Sequence, residues 1–446
     1  MNYNCGDNIA ALSTAPGKSA LALIRVSGNN LDALFLKVTK NIKPIPNHAF
    51  VTNLLDASNP SVVLDRVVLT FFKKPKSFTG EDCLEISCHG GNVVSRSILN
   101  MLYSSGLREA APGEFSYRAF LNGKIDLLQA ESIVSLVSSN SKFDAGLGLN
   151  GVSGKNTRLL RNVQSSIKNV LSYIENELDF SEDDILDAKN SIKGDLVGVC
   201  ENLSSILNSS VMCSKLKDGL RVVLVGPPNS GKSSLFNCLL GEDRVIVSGV
   251  PGTTRDTIES WHEIKGVSVC FVDTAGLWET KDFLEKRGIE KTNQEVFRAD
   301  ILLILDEHDP VAVFKTISDK VKHKSVILIN SKCDDGVLKN KTSDVLPISS
   351  KNNIGIDDLL YNISNIVSSM MASLPNNYFF TTTRQRLIIE NVLDDLEKLI
   401  QSSLSLNLDI ISSLLWGVVK NFDNLFESID SNDIINNIFS KFCVGK

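Results

Sequence analysis

The run RVVLVGPPNSGKSSLFNCLL, residues 221 to 240, constrains the fold more than any other stretch. A β-branched apolar run ends at Gly226, and a helical apolar pattern starts after Gly231. Between them Gly226 to Ser233 fits GxxxxGK[ST], where glycine lets successive backbone N–H groups point inward. A strand that passes through such a loop into a helix is one half of a parallel α/β unit. Further apolar runs, VSVCFV, ILLIL and VILIN, alternate with helical stretches up to about Ser368. Residues 217–372 therefore read as a domain with a mostly parallel sheet.

The loop is built for phosphates. Lys232 neutralises β/γ oxygens and the Ser233 hydroxyl suits Mg²⁺. APGKS at 15–19 imitates half of the motif, but Leu12 stands where its first glycine is needed. VDTAG, ending at Gly276, supplies Asp273 for a metal shell, and GTTRD offers a switch threonine. SKCD follows VILIN, and Asp334 can accept from guanine's N1–H and exocyclic amine, donors that adenine does not present together. With SSK at 349 to 351 this reads as a GTPase domain. Two positions depart from the usual motifs. Ser331 replaces asparagine, which shortens or removes one side-chain hydrogen bond. Ser350 replaces alanine, where the contact is a backbone N–H. Leu277 stands where a water-orienting glutamine is common, so another residue must act, and Glu285 is available.

With 446 residues, 43% hydrophobic and 22% charged, the chain reads as a multidomain globular protein. No apolar run is long enough to span a membrane and the start is unlike a signal peptide, so a cytoplasmic protein is expected. A net charge of −6 excludes a general polyanion binder; nucleic-acid contact needs a local basic patch. The nine cysteines form no CxxC pair. Alternation in CLEISCH puts Leu84, Ile86 and Cys88 on one face and Cys83, Glu85, Ser87 and His89 on the other, which disfavours a zinc site at Cys83, Cys88 and His89. Residues 1–122 read as mixed strand and helix, with APGEF as a turn, and 123–216 as helical. Leu160, Val163, Ile167, Val170, Ile174 and Leu178 form one stripe, and Ser181 and Asp184 a capping box. Residues 373–446 return to helix. An α/β domain inserted into a helical bundle is the simplest arrangement. Ile434, Ile435, Ile438, Phe439 and Phe442 form a stripe that predicts packing almost to the end. The terminal FCVGK is a poor lipidation signal because of Gly445 and Lys446.

LIRVSG, SFTGEDCLEISCHGG, APGEFSYRAFLNGKIDLLQAE, GPPNSGKSSLFN, PGTTRDT, DTAGL and FCVGK together resemble the tRNA modification GTPase family MnmE, also called TrmE. The match runs through nearly the whole chain and is weakest over 400–433. The resemblance implies an α+β N-terminal domain that dimerises and binds 5-formyl-tetrahydrofolate, and a two-segment helical domain carrying the GTPase. It also implies a homodimer that works with the FAD-containing MnmG on tRNA, modifying C5 of the wobble uridine, with hydrolysis stimulated by K⁺.

Carried over by position, the GTP contacts are Asn229, Ser230, Gly231, Lys232, Ser233 and Ser234 in the loop, with Ser248, Thr253 and Thr254 in the switch. Asp273, Thr274, Ala275 and Gly276 follow, and Ser331, Lys332, Asp334, Ser349, Ser350 and Lys351 surround the base. Ser233 and Thr254 would hold Mg²⁺; Asn229, Ser248, Val250 and Thr253 would hold K⁺; Glu285 would orient water. Arg25, Glu85, Lys124 and Lys446 match the folate site, with Cys443 beside it. The competing classes are a ribosome-assembly GTPase, for which a basic appendage is missing, and a folate-dependent transferase gated by GTP.

Overall fold

Alternation builds the first sheet. In the computed structural model, β2 (Leu21–Gly28) pairs antiparallel with β5 (Asp82–His89), setting Ile24 opposite Ile86 and Val26 opposite Leu84. These side chains and Cys88 enter one core with Phe35 of α1 (Leu31–Val38) and Ile98 and Leu102 of α2 (Asn92–Ser104). Because side chains alternate, Arg25 and Glu85 face the other way as neighbours. β1 (Ile9–Leu12), β3 (Ala49–Leu55), β4 (Val63–Phe72) and β6 (Arg108–Glu109) complete a sheet of order β3-β4-β5-β2-β1-β6.

The structure describes residues 6–180, 185–241, 258–274, 294–318, 321, 324–334, 344–375, 382–427, 432–442 and 444–445. The chain divides into two units, one of Met1–Ser135, Gly148–Cys200 and Leu387–Lys446, the other of Leu136–Leu147 and Glu201–Arg386.

In the first unit, APGEF is more than a turn: α3 (Glu114–Leu121) starts at its glutamate. Gly113 precedes it at φ 71°, and a Cβ there would lie 2.2 Å from the Phe439 carbonyl oxygen. That close approach seats the last helix, α13 (Asn432–Ser440), against α3. Phe439 is fully buried, edge-on to Tyr117 at 5.5 Å between ring centroids, and stacked on Phe442 at 5.5 Å. Of the stripe expected at the end of the chain, Ile435, Ile438, Phe439 and Phe442 are packed, and the Ile434 side chain lies outside what is described; a Phe-to-Ala change in such a core typically costs about 3–5 kcal/mol. Along the chain come α4 (Leu127–Val137), α5 (Lys142–Val152), α6 (Lys155–Phe180) and α7 (Ile185–Asp218), of which α6 lies wholly in this unit while the other three are divided between the two. In α6, Leu160, Val163, Ile167, Val170 and Ile174 are buried as their spacing predicts, whereas Leu178 remains 49% exposed. The capping box at Ser181 and Asp184 lies outside the described residues.

In the second unit β7 (Leu220–Val225) enters the loop and α8 (Lys232–Leu240) leaves it. With β8 (Ile258–Ile264), β9 (Val267–Asp273), β10 (Ile301–Asp306), β11 (Ser325–Asn330) and β12 (Val345–Pro347) the order is β12-β11-β10-β7-β9-β8. All pairings are parallel except β8 with β9, a hairpin edge that IESWHEI does not announce. α9 (Pro310–Ile317) and α10 (Ile356–Ala372) pack on this sheet; α11 (Thr383–Ser402) begins in this unit and lies mostly in the first, to which α12 (Leu408–Asp423) belongs. Among the described residues, no helix is long and apolar enough to cross a membrane.

Candidate functional site

The phosphate loop takes its shape from three residues. A Cβ on Gly226 would lie 2.2 Å from the Leu305 carbonyl oxygen, so only glycine lets β7 turn so close to β10. Asn229 at φ 62° and Gly231 at φ 89° adopt left-handed backbone, which turns the loop back into α8. Lys232 is buried and donates to the Gly226 and Pro227 carbonyls at 3.0 and 2.8 Å. Burial lowers its pKa, while the nearby Asp273 carboxylate works the other way. Ser233 and Ser234 are exposed in the first turn of α8. Asp273 ends β9 beside Leu224, and Thr274 donates from Oγ1 to the Leu224 carbonyl at 2.7 Å. A loop lysine, a helix N-terminus and a strand-end carboxylate thus surround one place, an arrangement suited to a metal-bound polyphosphate.

The base side is equally ordered. Ser349 Oγ donates to Asp334 Oδ1 at 2.7 Å, and Asn352 Nδ2 donates to the Asp334 carbonyl at 3.0 Å. The carboxylate is therefore aimed by its neighbours, a role for Ser349 and Asn352 that the motif string does not disclose. Lys332, at φ 58°, pairs with Glu307 at 3.1 Å. Ser350 and Lys351 lie on the adjoining turn. Ser331 is buried against the phosphate loop: its Oγ lies 3.9 Å from where a Cβ of Gly231 would stand. Neither Ser331 Oγ nor Ser230 Oγ has a hydrogen-bond partner among the described residues. Ser248, Val250, Thr253, Thr254, Ala275, Gly276 and Glu285 lie outside the described residues.

A second site stands in the first unit. Arg25 donates from NH2 and Nε to Glu85 Oε1 at 2.8 and 3.1 Å and lies 5.5 Å from the centre of the Phe78 ring. Its NH1 reaches the Gly445 carbonyl at 3.5 Å, and Ser13 Oγ donates to the same oxygen at 3.1 Å. Gly445 is at φ 90°, and a Cβ there would lie 2.7 Å from the Leu12 carbonyl. The tail is docked here. Lys124 reaches the loop that carries Phe78: its Nζ donates to the Pro75 carbonyl at 2.9 Å and its stem lies against Gly80. Lys446 and Cys443 lie outside the described residues. Cys88 is in the core while Cys83 contacts Thr79 at 3.2 Å on the opposite face, so strand alternation separates the two thiols.

Buried charge braces this loop. Thr79 Oγ1 meets Ser27 Oγ at 2.7 Å, Ser27 donates to Glu81 at 2.8 Å, and Arg118 holds Glu81 and Glu114 at 3.0 Å each. Burial works against the Glu114 charge, yet hydrogen bonds from Arg108, the Ala111 N–H and Arg118 hold its carboxyl below the usual range. Phe78, Ser13 and this network were not predicted, since a cation over a ring and contacts such as Ser27–Glu81 and Ser13–Gly445, 54 and 432 residues apart, leave no local pattern. The arrangement offers a flat aromatic surface, a carboxylate and a guanidinium, which fits a planar donor-rich heterocycle carrying an anionic group.

Known families match nearly the whole chain. The family described as GTP-binding protein TrmE N-terminus matches residues 8–124, and the MnmE helical domain family matches residues 127–443. The tRNA modification GTPase MnmE of Endomicrobium trichonymphae is 35% identical over 466 aligned residues, covering 100% of both chains. That of Thermosipho melanesiensis is 37% identical, covering 99% of this chain and 100% of its own. The Thermotoga maritima protein is 34% identical with the same coverage.

Proposed function

The chain belongs to the MnmE (TrmE) family of tRNA modification GTPases, and from that premise we propose that it hydrolyses GTP in modifying C5 of the wobble uridine, position 34 of certain tRNAs. The added group is aminomethyl or carboxymethylaminomethyl, the one-carbon donor is 5-formyl-tetrahydrofolate, and the partner is the FAD-containing MnmG. The chain acts in the cytoplasm as a homodimer that forms a heterotetramer with MnmG. Four segments serve this work: 1–122 for folate and dimerisation, 123–216 and 373–446 as the helical domain, and 217–372 for GTP. The observation that carries the reading is one chain holding both an Asp334 carboxylate aimed by Ser349 and an Arg25–Glu85 pair closed by Gly445.

Each residue has a physical task. Lys232 moves from its own loop's carbonyls to the phosphates, and Asp334 selects guanine. Ser233 and Thr254 would hold Mg²⁺, which supplies charge neutralisation on the phosphates. Asn229, with backbone groups at Ser248, Val250 and Thr253, would hold K⁺, whose charge can serve where other GTPases use an arginine. Glu285 orients the attacking water in place of the glutamine that Leu277 replaces. Water's oxygen bonds to the γ-phosphorus, the bond to the β-phosphate oxygen breaks, and GDP and phosphate leave. At the second site Glu85 accepts from the pterin edge, and Arg25, Lys124 and Lys446 pair with anionic parts of the cofactor. Mass spectrometry of tRNA from cells lacking the chain tests the reading: position 34 should lose its C5 substituent, and unchanged wobble uridines refute it.

A further inference from the structure

We propose that the outward face of α6 is a docking surface for the phosphate backbone of tRNA. Every exposed position of this helix from Lys155 to Ser172 is Lys, Arg, Asn or Ser. These positions fall on one side, because the buried residues from Leu160 to Leu171 occupy the other at three- and four-residue steps. No Asp or Glu occurs between Asp144 and Glu175, in a chain whose net charge is −6. At 1.5 Å per residue the face is roughly 26 Å long, enough to follow several consecutive phosphates.

The charge order runs against what the helix itself favours. Anions stabilise a helix N-terminus and cations its C-terminus. α6 has no acidic residue in its first turn and no basic residue in its last. Lys155 and Arg158 instead open the helix, and Glu175 and Glu177 come near its end. Such placement weakens the isolated helix, so the cations are better explained by an anionic partner. At this end the helix dipole and the side chains attract an anion together.

The surroundings keep the cations outward. The Arg161 guanidinium carbon lies 4.0 Å from the centre of the Phe426 ring, so one face of the guanidinium is stacked while its side chain stays 44% exposed. α12 runs antiparallel along α6, Gln164 donating to Asp423 at 2.7 Å and Trp416 to Glu175 at 3.3 Å, so exposed Lys420 falls near the level of Lys168. Three carboxylates lie nearby, Asp423 accepting from Gln164, Asp126 from Thr157 at 2.6 Å, and Glu427 3.9 Å from Arg161; they keep their charge but are outnumbered by Lys155, Arg158, Arg161, Lys168 and Lys420. Cations interleaved with short amides and hydroxyls are what bind phosphate and sugar without reading sequence.

The proposal rests on the tRNA reading above, but its test is separate from the wobble-uridine measurement. The full-length chain is titrated with an unmodified tRNA transcript across a salt series, as wild type and with Lys155, Arg158, Arg161 and Lys168 all changed to Gln. Each lost phosphate contact lowers the slope of log K against log salt by about 0.7–0.9, so the variant's slope should fall by about 3. A control with Lys37, Lys40, Lys43 and Arg96 changed to Gln removes the same charge from exposed positions elsewhere in the unit and should keep most of the slope. Removing Lys155 and Arg158 relieves the unfavourable charge at the helix start, whereas removing Arg161 gives up its stacking on Phe426, so the α6 variant should melt within a few degrees of wild type. An unchanged slope in the α6 variant, an equal loss in the control, or no tRNA binding by wild type at the lowest salt would each overturn the proposal. If the slope stays while position 34 is still modified in cells, only the docking surface fails.

Discussion

Ser331→Asn should tighten guanine-nucleotide binding. Ser331 and Ser230 are each about 95% or more buried, with exposures of 5% and 3%, and both hydroxyls lack a partner among the described residues. Ser331 is held by its own N–H, which donates to the Asp306 carbonyl at 2.9 Å, so its side chain faces the phosphate loop at Gly231. An asparagine there brings an acceptor and two donors onto the same vector, long enough to join the Ser230 hydroxyl across the glycine. One new buried hydrogen bond contributes a net ~0.5–1.5 kcal/mol, which corresponds to a factor of roughly 2–13 in affinity if it is made only with nucleotide bound. Because the bond clamps the base loop to the phosphate loop, the gain should appear as slower release. Stopped-flow release of a fluorescent GDP analogue measures it directly. Asp334→Asn is the companion arm: its amide can donate to the C2 carbonyl of xanthine, so preference should move from GTP toward XTP. Release from Ser331→Asn as fast as from wild type would refute the clamp. An unchanged GTP/XTP ratio in Asp334→Asn would refute the placement of the base itself.

Gly445→Ala should detach the tail, since the new Cβ would stand 2.7 Å from the Leu12 carbonyl at a φ of 90°. Calorimetry with 5-formyl-tetrahydrofolate should show affinity at least several-fold weaker with GTP binding unchanged, and equal folate affinity would exclude the tail from the site. Exchanging K⁺ for Na⁺ should lower kcat for GTP, and Glu285→Ala should lower kcat with little effect on GTP affinity. Equal rates in the two salts would remove the cation from the mechanism.

What the sequence disclosed was whatever repeats locally. CLEISCH alternates with period two, so Leu84, Ile86 and Cys88 could be assigned to a core before any partner strand was known. The α6 and α13 stripes followed from the 3.6 period in the same way. The loop at Gly226–Ser233 was legible because phosphate chemistry demands glycine, lysine and a hydroxyl at fixed offsets. β8 was not, because an edge hairpin strand such as IESWHEI needs no continuous apolar run. Nor was α3: Arg118 and Glu114 look like surface charges, and it is the network they form with each other, Glu81 and Arg108 that allows both to be almost wholly buried. Arg25 and Glu85 were chosen as separate ligand contacts. Their pairing depends on β2–β5 register, sixty residues apart in the chain, which no local period encodes.

The second site has a consequence for how its parts depend on one another. The Gly445 carbonyl meets Ser13 and Arg25 across 432 and 420 residues of chain. Closing so long a loop by a single contact would be entropically unfavourable in an otherwise unfolded chain. α13 removes most of that cost, because Phe439 and Phe442 have already fixed the chain beside Gly113 only a few residues before Gly445. The tail's docking therefore inherits its stability from the α3–α13 packing and adds little of its own. It follows that damage to the packing, as in Phe439→Ala, should weaken the Arg25–Gly445 contact even though it touches neither residue. Damage at Gly445 should leave α13 in place. The dependence runs from the helix to the site and not back.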